Sequence, residues 1–253
     1  MNKPWVQDFF KNGFVVFDCN NLENLDILRT VVELSLGSDC LDLIHQRINI
    51  NDLNQERLKA YRALNTLKDW ERLYKSLASN YIDDLLGPDI AIQSKLNLSI
   101  QMPLDDTSLL QLHTDTLSGQ SVFEIVLWVP LTDCSDSNSM YLFNIHDSKK
   151  ILSQLSSYEQ PGMLQLYEDN KNDAMFMSLS YGQCLIFTPT LFHGNTKNQT
   201  TKTRISINCR FKNIFSPEAI SGERRLGSFY RILDLSPVTL LGLAHRDDMV
   251  IFE

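Results

Sequence analysis

The hydrophobic pattern of the chain changes its period near residue 90, and this change constrains the fold more than any other feature. Residues 95–101 (KLNLSIQ) alternate between polar and apolar, which places Asn97, Ser99 and Gln101 on one face of a strand. Many short antiparallel strands joined by turns predict a sandwich or barrel. Further predicted strands are the segment around His113 and residues 122–129, 140–145, 163–168, 174–179, 183–188 and 204–211, with a helical insertion at 147–158.

Before residue 90 the sequence predicts helices. Asn20 or Asn21 can cap a helix that runs to Leu36, because asparagine side chains accept hydrogen bonds from the first free backbone N–H groups. The polar sequence from Asp52 to Leu85, punctuated by leucine and aromatic residues, predicts further helices. We expect all of these helices to pack against the outside of the sheet.

Two histidines and one carboxylate are the strongest candidates for a metal centre. His113 and Asp115 are two residues apart, so on a strand their side chains project to the same side. His193 lies far along the chain, at the end of the apolar run 184–192. Two histidines and one carboxylate on one face of a metal are the ligand set of non-haem Fe(II) oxygenases. Zinc with the same ligands remains an alternative.

Arg204 follows His193 by eleven residues, and the segment between them is polar and rich in turn-forming residues. A hairpin centred near Asn198 would put Arg204 roughly opposite His193 on the partner strand, with Cβ atoms about 5 Å apart. A guanidinium there can bind a carboxylate bidentately. One end of a small diacid would then meet Arg204 and the Ser206 hydroxyl, while its other end chelates the metal.

These residues resemble the Fe(II)/2-oxoglutarate-dependent oxygenase superfamily. His113, Asp115 and His193 match its metal triad, and Arg204 with Ser206 matches its co-substrate clamp. Within the superfamily, the chain resembles the phytanoyl-CoA dioxygenase-like branch and, in that branch, the group named for sporadic carbohydrate clusters. The resemblance covers roughly residues 90–245 and rests further on the segments 98–102, 112–116, 128–134 and 139–141.

Periodicity and resemblance together predict a mainly β fold with α-helices. The expected core is a double-stranded β-helix (jelly-roll, cupin-like), with the N-terminal helices packed outside. We expect a single oxygenase domain over residues 1–253. It would consist of a mostly helical part at 1–90, the jelly-roll core at 91–212 and a covering segment at 213–253 whose sequence reads as irregular.

The resemblance also implies the cofactors and the reaction. Fe(II) is the metal, 2-oxoglutarate and O2 are co-substrates, and succinate and CO2 form while a small metabolite is hydroxylated or otherwise oxidised. Because Asp115 is present, halogenation is disfavoured, since halogenases of this family usually lack that carboxylate. The branch implies a carbohydrate or sugar derivative of polysaccharide biosynthesis as the substrate. A zinc-dependent hydrolase and a catalytically silent ligand-binding barrel are the alternatives.

Composition restricts the partners and the compartment. A net charge of −8 over 253 residues argues against a general nucleic-acid surface. No apolar stretch is long enough to span a bilayer, and the N-terminus lacks the pattern of a signal peptide. Five scattered cysteines without CxxC spacing predict free thiols in a reducing cytoplasm. We therefore expect a cytoplasmic enzyme with a small-molecule, sugar-related substrate, no nucleic-acid or membrane partner, and a sequence compatible with a homo-oligomer.

Other polar residues have less specific assignments. Gln101 lies on the polar face of the strand before the HxD motif, where it either donates to the co-substrate or substrate or is an ordinary strand amide. Asn97 and Arg210 are each either substrate contacts or solvated residues. Ordinary structural or surface positions are expected for His45, His146 and His245. Arg224 and Arg225 either bind a phosphate group of a substrate or are solvated charges.

Overall fold

The computed structural model describes residues 3–158, 162–218 and 223–250. Within this part of the chain the fold is mainly antiparallel sheet, covered by helices, as the change in period predicts. The mainly β expectation is therefore confirmed in its coarse form.

The helices before residue 90 lie where the periodicity predicts them. Asn21 accepts a hydrogen bond from the backbone N–H of Asn24 at 3.0 Å and so caps the second helix, which Gly37 ends in the left-handed region at φ 68°. Both ends of this helix confirm the prediction. The helices are α1 (Pro4–Asn12), α2 (Leu22–Leu36), α3 (Leu53–Thr66), α4 (Trp70–Ser76), α5 (Ser79–Leu86), α6 (Ile145–Gln154), α7 (Gly162–Asn170) and α8 (Pro237–Val250).

Two antiparallel sheets are formed by the strands of the described residues. The larger has the order β1-β7-β4-β9-β2-β10, with β3 also paired to β9, and the smaller has the order β6-β5-β8. The strands are β1 (Phe14–Asp18), β2 (Ile90–Gln93), β3 (Asn97–Gln101), β4 (Glu124–Pro130), β5 (Met140–Leu142), β6 (Met175–Phe176), β7 (Gln183–Phe187), β8 (His193–Asn195), β9 (Arg204–Asn213) and β10 (Tyr230–Asp234).

Strand β9 is central to the larger sheet. It pairs with β4 over most of its length, with β3 near its beginning and with β2 near its end. Side chains alternate between the two faces of a strand. One face of β9 is fully buried in the main core, where it packs with residues of the helices before residue 90. The other face points into a cavity and carries Arg204, Asn208 and Arg210.

Three predicted segments fold differently. Residues 163–168 belong to α7 and not to a strand, because Leu166 packs into a cluster with Phe143 and Phe192. A short apolar run is compatible with a buried helix or a buried strand, and periodicity alone does not distinguish the two. Only Met175–Phe176 of the predicted strand 174–179 is extended in a sheet. The tail after residue 213 is not irregular, since it forms β10 and α8. The helical insertion at 147–158 is confirmed by α6 and the 3₁₀ turn that follows it.

Strand β10 joins the edge of the larger sheet through contacts that are distant in sequence. It pairs with β2, and the fully buried Tyr230 donates to a carboxylate oxygen of Glu124 at 2.6 Å. Burial raises the pKa of Glu124. No local pattern in the tail could have indicated this pairing.

None of the described helices has both the length and the apolar character needed to cross a membrane. The five cysteines are free thiols, and three of them, Cys134, Cys184 and Cys209, are buried.

Tyr74 of α4 links the helical layer to the sheet, because its buried hydroxyl donates to the backbone oxygen of Leu127 at 2.8 Å. We expect Tyr74→Phe to lower the free energy of unfolding by about 1 kcal/mol through loss of this hydrogen bond. Urea denaturation measures the change. Tyr61→Phe is the control, because the Tyr61 hydroxyl hydrogen-bonds to no described residue. Equal stability of Tyr74→Phe and Tyr61→Phe would contradict this role.

Candidate metal centre

His113, Asp115 and His193 come together in the structure. Their candidate ligand atoms all lie within 4.8 Å of one another. The two imidazole rings have centroids 4.2 Å apart. Asp115 and His193 are buried, and His113 is half-buried. At these separations the three side chains can bind one metal ion.

Backbone pairing between distant segments creates this cluster. His113 and His193 exchange both of their backbone hydrogen bonds, at 3.0 and 2.9 Å, and such a pair places its two side chains on the same side. The strand predicted around His113 is wrong, because this contact is an isolated bridge. The chain turns immediately afterwards, where the backbone oxygen of Asp115 accepts from the N–H groups of Ser118 and Gln120.

Both histidines are held in the tautomer that suits metal binding. The Nδ1 atom of His113 lies 2.8 Å from the backbone oxygen of Gln111, and that of His193 lies 2.9 Å from the backbone oxygen of Leu191. A carbonyl oxygen only accepts, so each Nδ1 carries the hydrogen and each Nε2 keeps its lone pair. Burial, together with His113, lowers the pKa of His193 to about 4. His193 is therefore neutral near pH 7, the form that coordinates metals.

Arg210 forms a bidentate ion pair with Asp115. Its Nη2 lies 2.5 Å from Oδ1 and its Nε lies 3.2 Å from Oδ2, while Nη1 donates to the side-chain oxygen of Gln93 at 3.0 Å. Burial raises the pKa of Asp115, but the charge of Arg210 and the nearby His193 outweigh it, so the pKa of Asp115 lies below its ordinary value. The sequence left Arg210 without a specific role. The structure makes it the residue that orients Asp115 as a carboxylate.

Arg204 is buried without a counter-ion among the described residues. Its Nη1 donates to the Ser206 hydroxyl at 3.2 Å, and its Nη2 donates to the side-chain oxygens of Gln101 at 3.1 Å and Ser99 at 3.4 Å. Its Nε has no hydrogen-bond partner. Burial lowers the pKa of Arg204 to about 10, which still leaves it charged at neutral pH. A buried, incompletely bonded guanidinium at a cavity wall is a site for an anionic ligand.

The hairpin predicted between His193 and Arg204 is wrong. Strand β8 lies in the smaller sheet, where His193 is opposite Leu142, whereas Arg204 of β9 lies in the larger sheet opposite Gln101. The connecting segment crosses between the sheets and is fixed by Asn198, a fully buried residue whose amide group donates to the backbone oxygen of Gln101 at 3.3 Å. His193 and Arg204 therefore reach one cavity from different sheets.

Gln101 and Ser206 contact Arg204 and are not among the residues that line the cavity. The amide nitrogen of Gln101 donates to the backbone oxygen of Thr196 at 2.6 Å, and its amide oxygen accepts from Arg204. In this structure Gln101 holds the guanidinium of Arg204 in place.

The other three histidines lie outside the cluster of possible metal ligands. The ring of His45 is half-buried, with Nδ1 2.9 Å from the hydroxyl of Thr203. His146 and His245 are exposed. These positions are the structural and surface positions that the sequence suggests.

A cavity of about 420 Å³ connects the His113, Asp115 and His193 cluster with Arg204. Val126, Trp128 and Phe187 supply an apolar part of its wall. Amides and hydroxyls supply much of the rest, from Asn97, Ser99, Ser108, Asn195 and Asn208. Arg224 and Arg225 are not part of this lining.

Arg57 and Tyr61 of α3 also line the cavity, and sequence reasoning missed both. The helical periodicity of α3 assigned Tyr61 to a packing stripe. The available signal was that Arg57, four residues earlier, is a charged residue on the same helical face.

A scan against protein-family models finds no match, and a search of curated protein sequences finds none either. Solved structures do resemble the chain. A non-heme monooxygenase, the ThoJ–Ni complex, is 20% identical with a TM-score of 0.55 and covers 92% of this chain and 84% of its own. EctD from S. alaskensis, with 2-oxoglutarate and 5-hydroxyectoine, is 14% identical with a TM-score of 0.57, covering 85% and 77%. HygX from Streptomyces hygroscopicus, with nickel and 2-oxoglutarate, is 13% identical with a TM-score of 0.56, covering 92% and 98%. The chain shares the fold of these proteins.

The ion pair between Arg210 and Asp115 predicts a stability change in the metal-free protein. We expect Arg210→Gln to lower the free energy of unfolding by about 3 kcal/mol, because a buried carboxylate loses its partner. Added Ni²⁺ should then raise the melting temperature of the variant more than that of the wild type, since the metal supplies the missing positive charge.

Lys171→Gln is the control for this experiment. It removes an exposed ion pair with Glu168 at 2.8 Å, and such pairs contribute about 0 to 1 kcal/mol. If Arg210→Gln behaved like Lys171→Gln, the ion pair would not be a determinant of the site.

Proposed function

We propose that the protein is an Fe(II)/2-oxoglutarate-dependent dioxygenase of the hydroxylase type that oxidises a small metabolite. The observation that carries this proposal is the shared cavity, which has a His–Asp–His cluster on one wall and the buried, uncompensated guanidinium of Arg204 on another. A small diacid that chelates the metal and extends to Arg204 fits both features.

The donor set fits Fe(II). The Nε2 atoms of His113 and His193 and a carboxylate oxygen of Asp115 would bind the metal, leaving coordination positions open for the co-substrate and O2. Zinc accepts the same ligands. A hydrolytic zinc site has no need of a buried guanidinium that faces the same cavity, so Arg204 favours the oxygenase.

The co-substrate 2-oxoglutarate fits the environment of Arg204. Its distal carboxylate would meet the guanidinium of Arg204 at the cavity wall and neutralise a charge that is otherwise buried alone. The hydroxyl of Ser206 and the amide of Gln101 keep the guanidinium aligned. Two of the structures that resemble this chain, those of EctD and HygX, contain 2-oxoglutarate, which supports this assignment.

Bound Fe(II) would supply the oxidative chemistry, in which O2 is the oxidant: one oxygen atom enters succinate as 2-oxoglutarate loses CO2, and the other enters the hydroxylated substrate. The residues of this chain contribute position. Arg210 keeps Asp115 ionised and oriented, the Nδ1 hydrogen bonds fix both imidazoles, and Trp128 with Phe187 forms an apolar part of the cavity wall.

We also propose the finer assignments that the motifs imply. They are membership of the phytanoyl-CoA dioxygenase-like branch, a jelly-roll core within a single domain over residues 1–253, and a cytoplasmic location. A carbohydrate or sugar derivative is the proposed substrate. The amides of Asn97 and Asn208 in the cavity lining support it, because they hydrogen-bond to each other at 3.0 Å and keep further N–H groups that can bind hydroxyls of a ligand.

Replacing His113, Asp115 or His193 with alanine should abolish Fe(II) binding and succinate formation. Residues that merely support a ligand typically change affinity ten- to a hundredfold, so loss of a ligand should exceed about a hundredfold. Anaerobic Fe(II) titration and a succinate assay measure both effects. His146→Ala is the control, since His146 is exposed and lies outside the cluster. Near-normal Fe(II) binding by any of the three variants would remove that residue from the ligand set.

Arg204→Ala should weaken 2-oxoglutarate binding by roughly thirtyfold or more while Fe(II) binding stays nearly intact, because a buried charge-assisted contact contributes about 2–5 kcal/mol. Arg204→Lys should retain only part of the wild-type affinity for 2-oxoglutarate, since an ammonium group lacks the planar, two-donor geometry of a guanidinium. Ser206→Ala should change the binding free energy by about 1 kcal/mol. Titration of 2-oxoglutarate into the anaerobic Fe(II) protein, followed by its charge-transfer absorption, gives the affinities. Unchanged affinity in Arg204→Ala would overturn the proposed function.

A further inference from the structure

Arg57 lies at a position of α3 where the helical pattern predicts a buried residue. Leu53, Ala60 and Leu64 form the buried face of α3 and belong to the main core. Arg57 lies four residues after Leu53 and seven before Leu64, which places it on the same face. This side chain is half-buried and lines the cavity of the metal cluster.

The charge of Arg57 is uncompensated within the described residues. Its guanidinium donates to the neutral side-chain oxygen of Asn54 at 2.7 Å and takes part in no ion pair there. The cavity lining contains two other guanidinium groups. Arg210 forms an ion pair with Asp115, and Arg204 is the proposed binding partner of the co-substrate carboxylate. Arg57 is therefore the cation of this lining that neither Asp115 nor the proposed co-substrate neutralises.

The excess of positive charge is local. The described lining contains three arginines against one carboxylate, although the chain as a whole carries a net charge of −8. Bound Fe(II) and doubly charged 2-oxoglutarate cancel each other, so they leave this excess unchanged. A positively charged cavity in an acidic protein attracts anions to that cavity.

A second cavity, of about 380 Å³, adjoins the first at Arg57. The two share Arg57, Leu98, Ser99, Ser108 and Leu110, and none of the three metal-cluster residues lines the second cavity. A ligand that spans both would place one end near the metal cluster and pass Arg57 on the way out. No acidic side chain is among the described residues that line the second cavity. The nearby carboxylate of Asp105 lies behind its wall, where it accepts hydrogen bonds from Thr107 and Ser108.

We propose that the substrate carries an oxyanion group, a phosphate ester or a carboxylate, which Arg57 binds at the junction of the two cavities. The part of the substrate to be oxidised lies in the first cavity. This inference rests on the proposed oxygenase function and deepens it by giving the substrate class. Phosphate and carboxylate are distinguished by the arms of the test.

The test is calorimetric titration into anaerobic protein saturated with Fe(II) and 2-oxoglutarate, which keeps Arg204 occupied. The probes are glucose 1-phosphate, glucuronate, inorganic phosphate and neutral glucose. At least one anion should bind about tenfold or more tightly than glucose, and Arg57→Gln should weaken that binding about tenfold or more. Arg57→Lys should retain part of the wild-type affinity for that anion. The anion with the larger loss identifies the group as phosphate or carboxylate.

Arg62→Gln is the matched control, because Arg62 is an exposed arginine of the same helix that does not line either cavity. It should bind all four probes as the wild type does. Anion binding no tighter than that of glucose, or equal anion binding by Arg57→Gln and Arg62→Gln, would overturn the proposal. Binding of 2-oxoglutarate is measured first on the wild type. Its absence would refute the oxygenase function alone. The difference in anion binding between Arg57→Gln and Arg62→Gln in the metal-free protein would still decide whether Arg57 binds the anion, because Arg204 is the same in both variants.

Discussion

The backbone pairing of His113 with His193 is the interaction on which the site depends. Two hydrogen bonds at 3.0 and 2.9 Å bring together segments that are distant in sequence and belong to no common strand. The approach is close enough that a Cβ atom at Gly194 would lie 2.5 Å from the Tyr141 hydroxyl oxygen and 2.7 Å from the backbone oxygen of Leu110. Glycine after His193 therefore permits the contact that aligns both imidazoles.

Two arginines on one face of β9 show how burial assigns roles to identical side chains. Arg210 finds its counter-ion within the protein, as Asp115, and so fixes a charge pair. Arg204 finds only the neutral partners Ser99, Gln101 and Ser206, and one of its N–H groups has none. Since an isolated buried charge is unfavourable, an anionic ligand bound at Arg204 would lower the free energy of this site.

Local structure was predictable where a local cause exists. Asn21 and Gly37 bound α2 because capping and a left-handed backbone are properties of those residues. The pairs Leu98–Ile207 and Ile100–Ile205, by contrast, join β3 to β9 across the chain, and alternation alone does not specify a partner. For the same reason the tail and the segment 163–168 were misassigned, since their burial depends on residues far away in sequence.

The sequence by itself determined the chemical identity of the candidate site: two histidines, a carboxylate and an arginine at recognisable spacing. Only the tertiary structure decided how they are used. In the tertiary structure His193 and Arg204 lie in different sheets, and Arg210 forms an ion pair with Asp115. Arg57 of α3 lines the same cavity. The physical reason is that spacing fixes side-chain direction along one element, whereas charge pairing and burial are decided by which elements pack together.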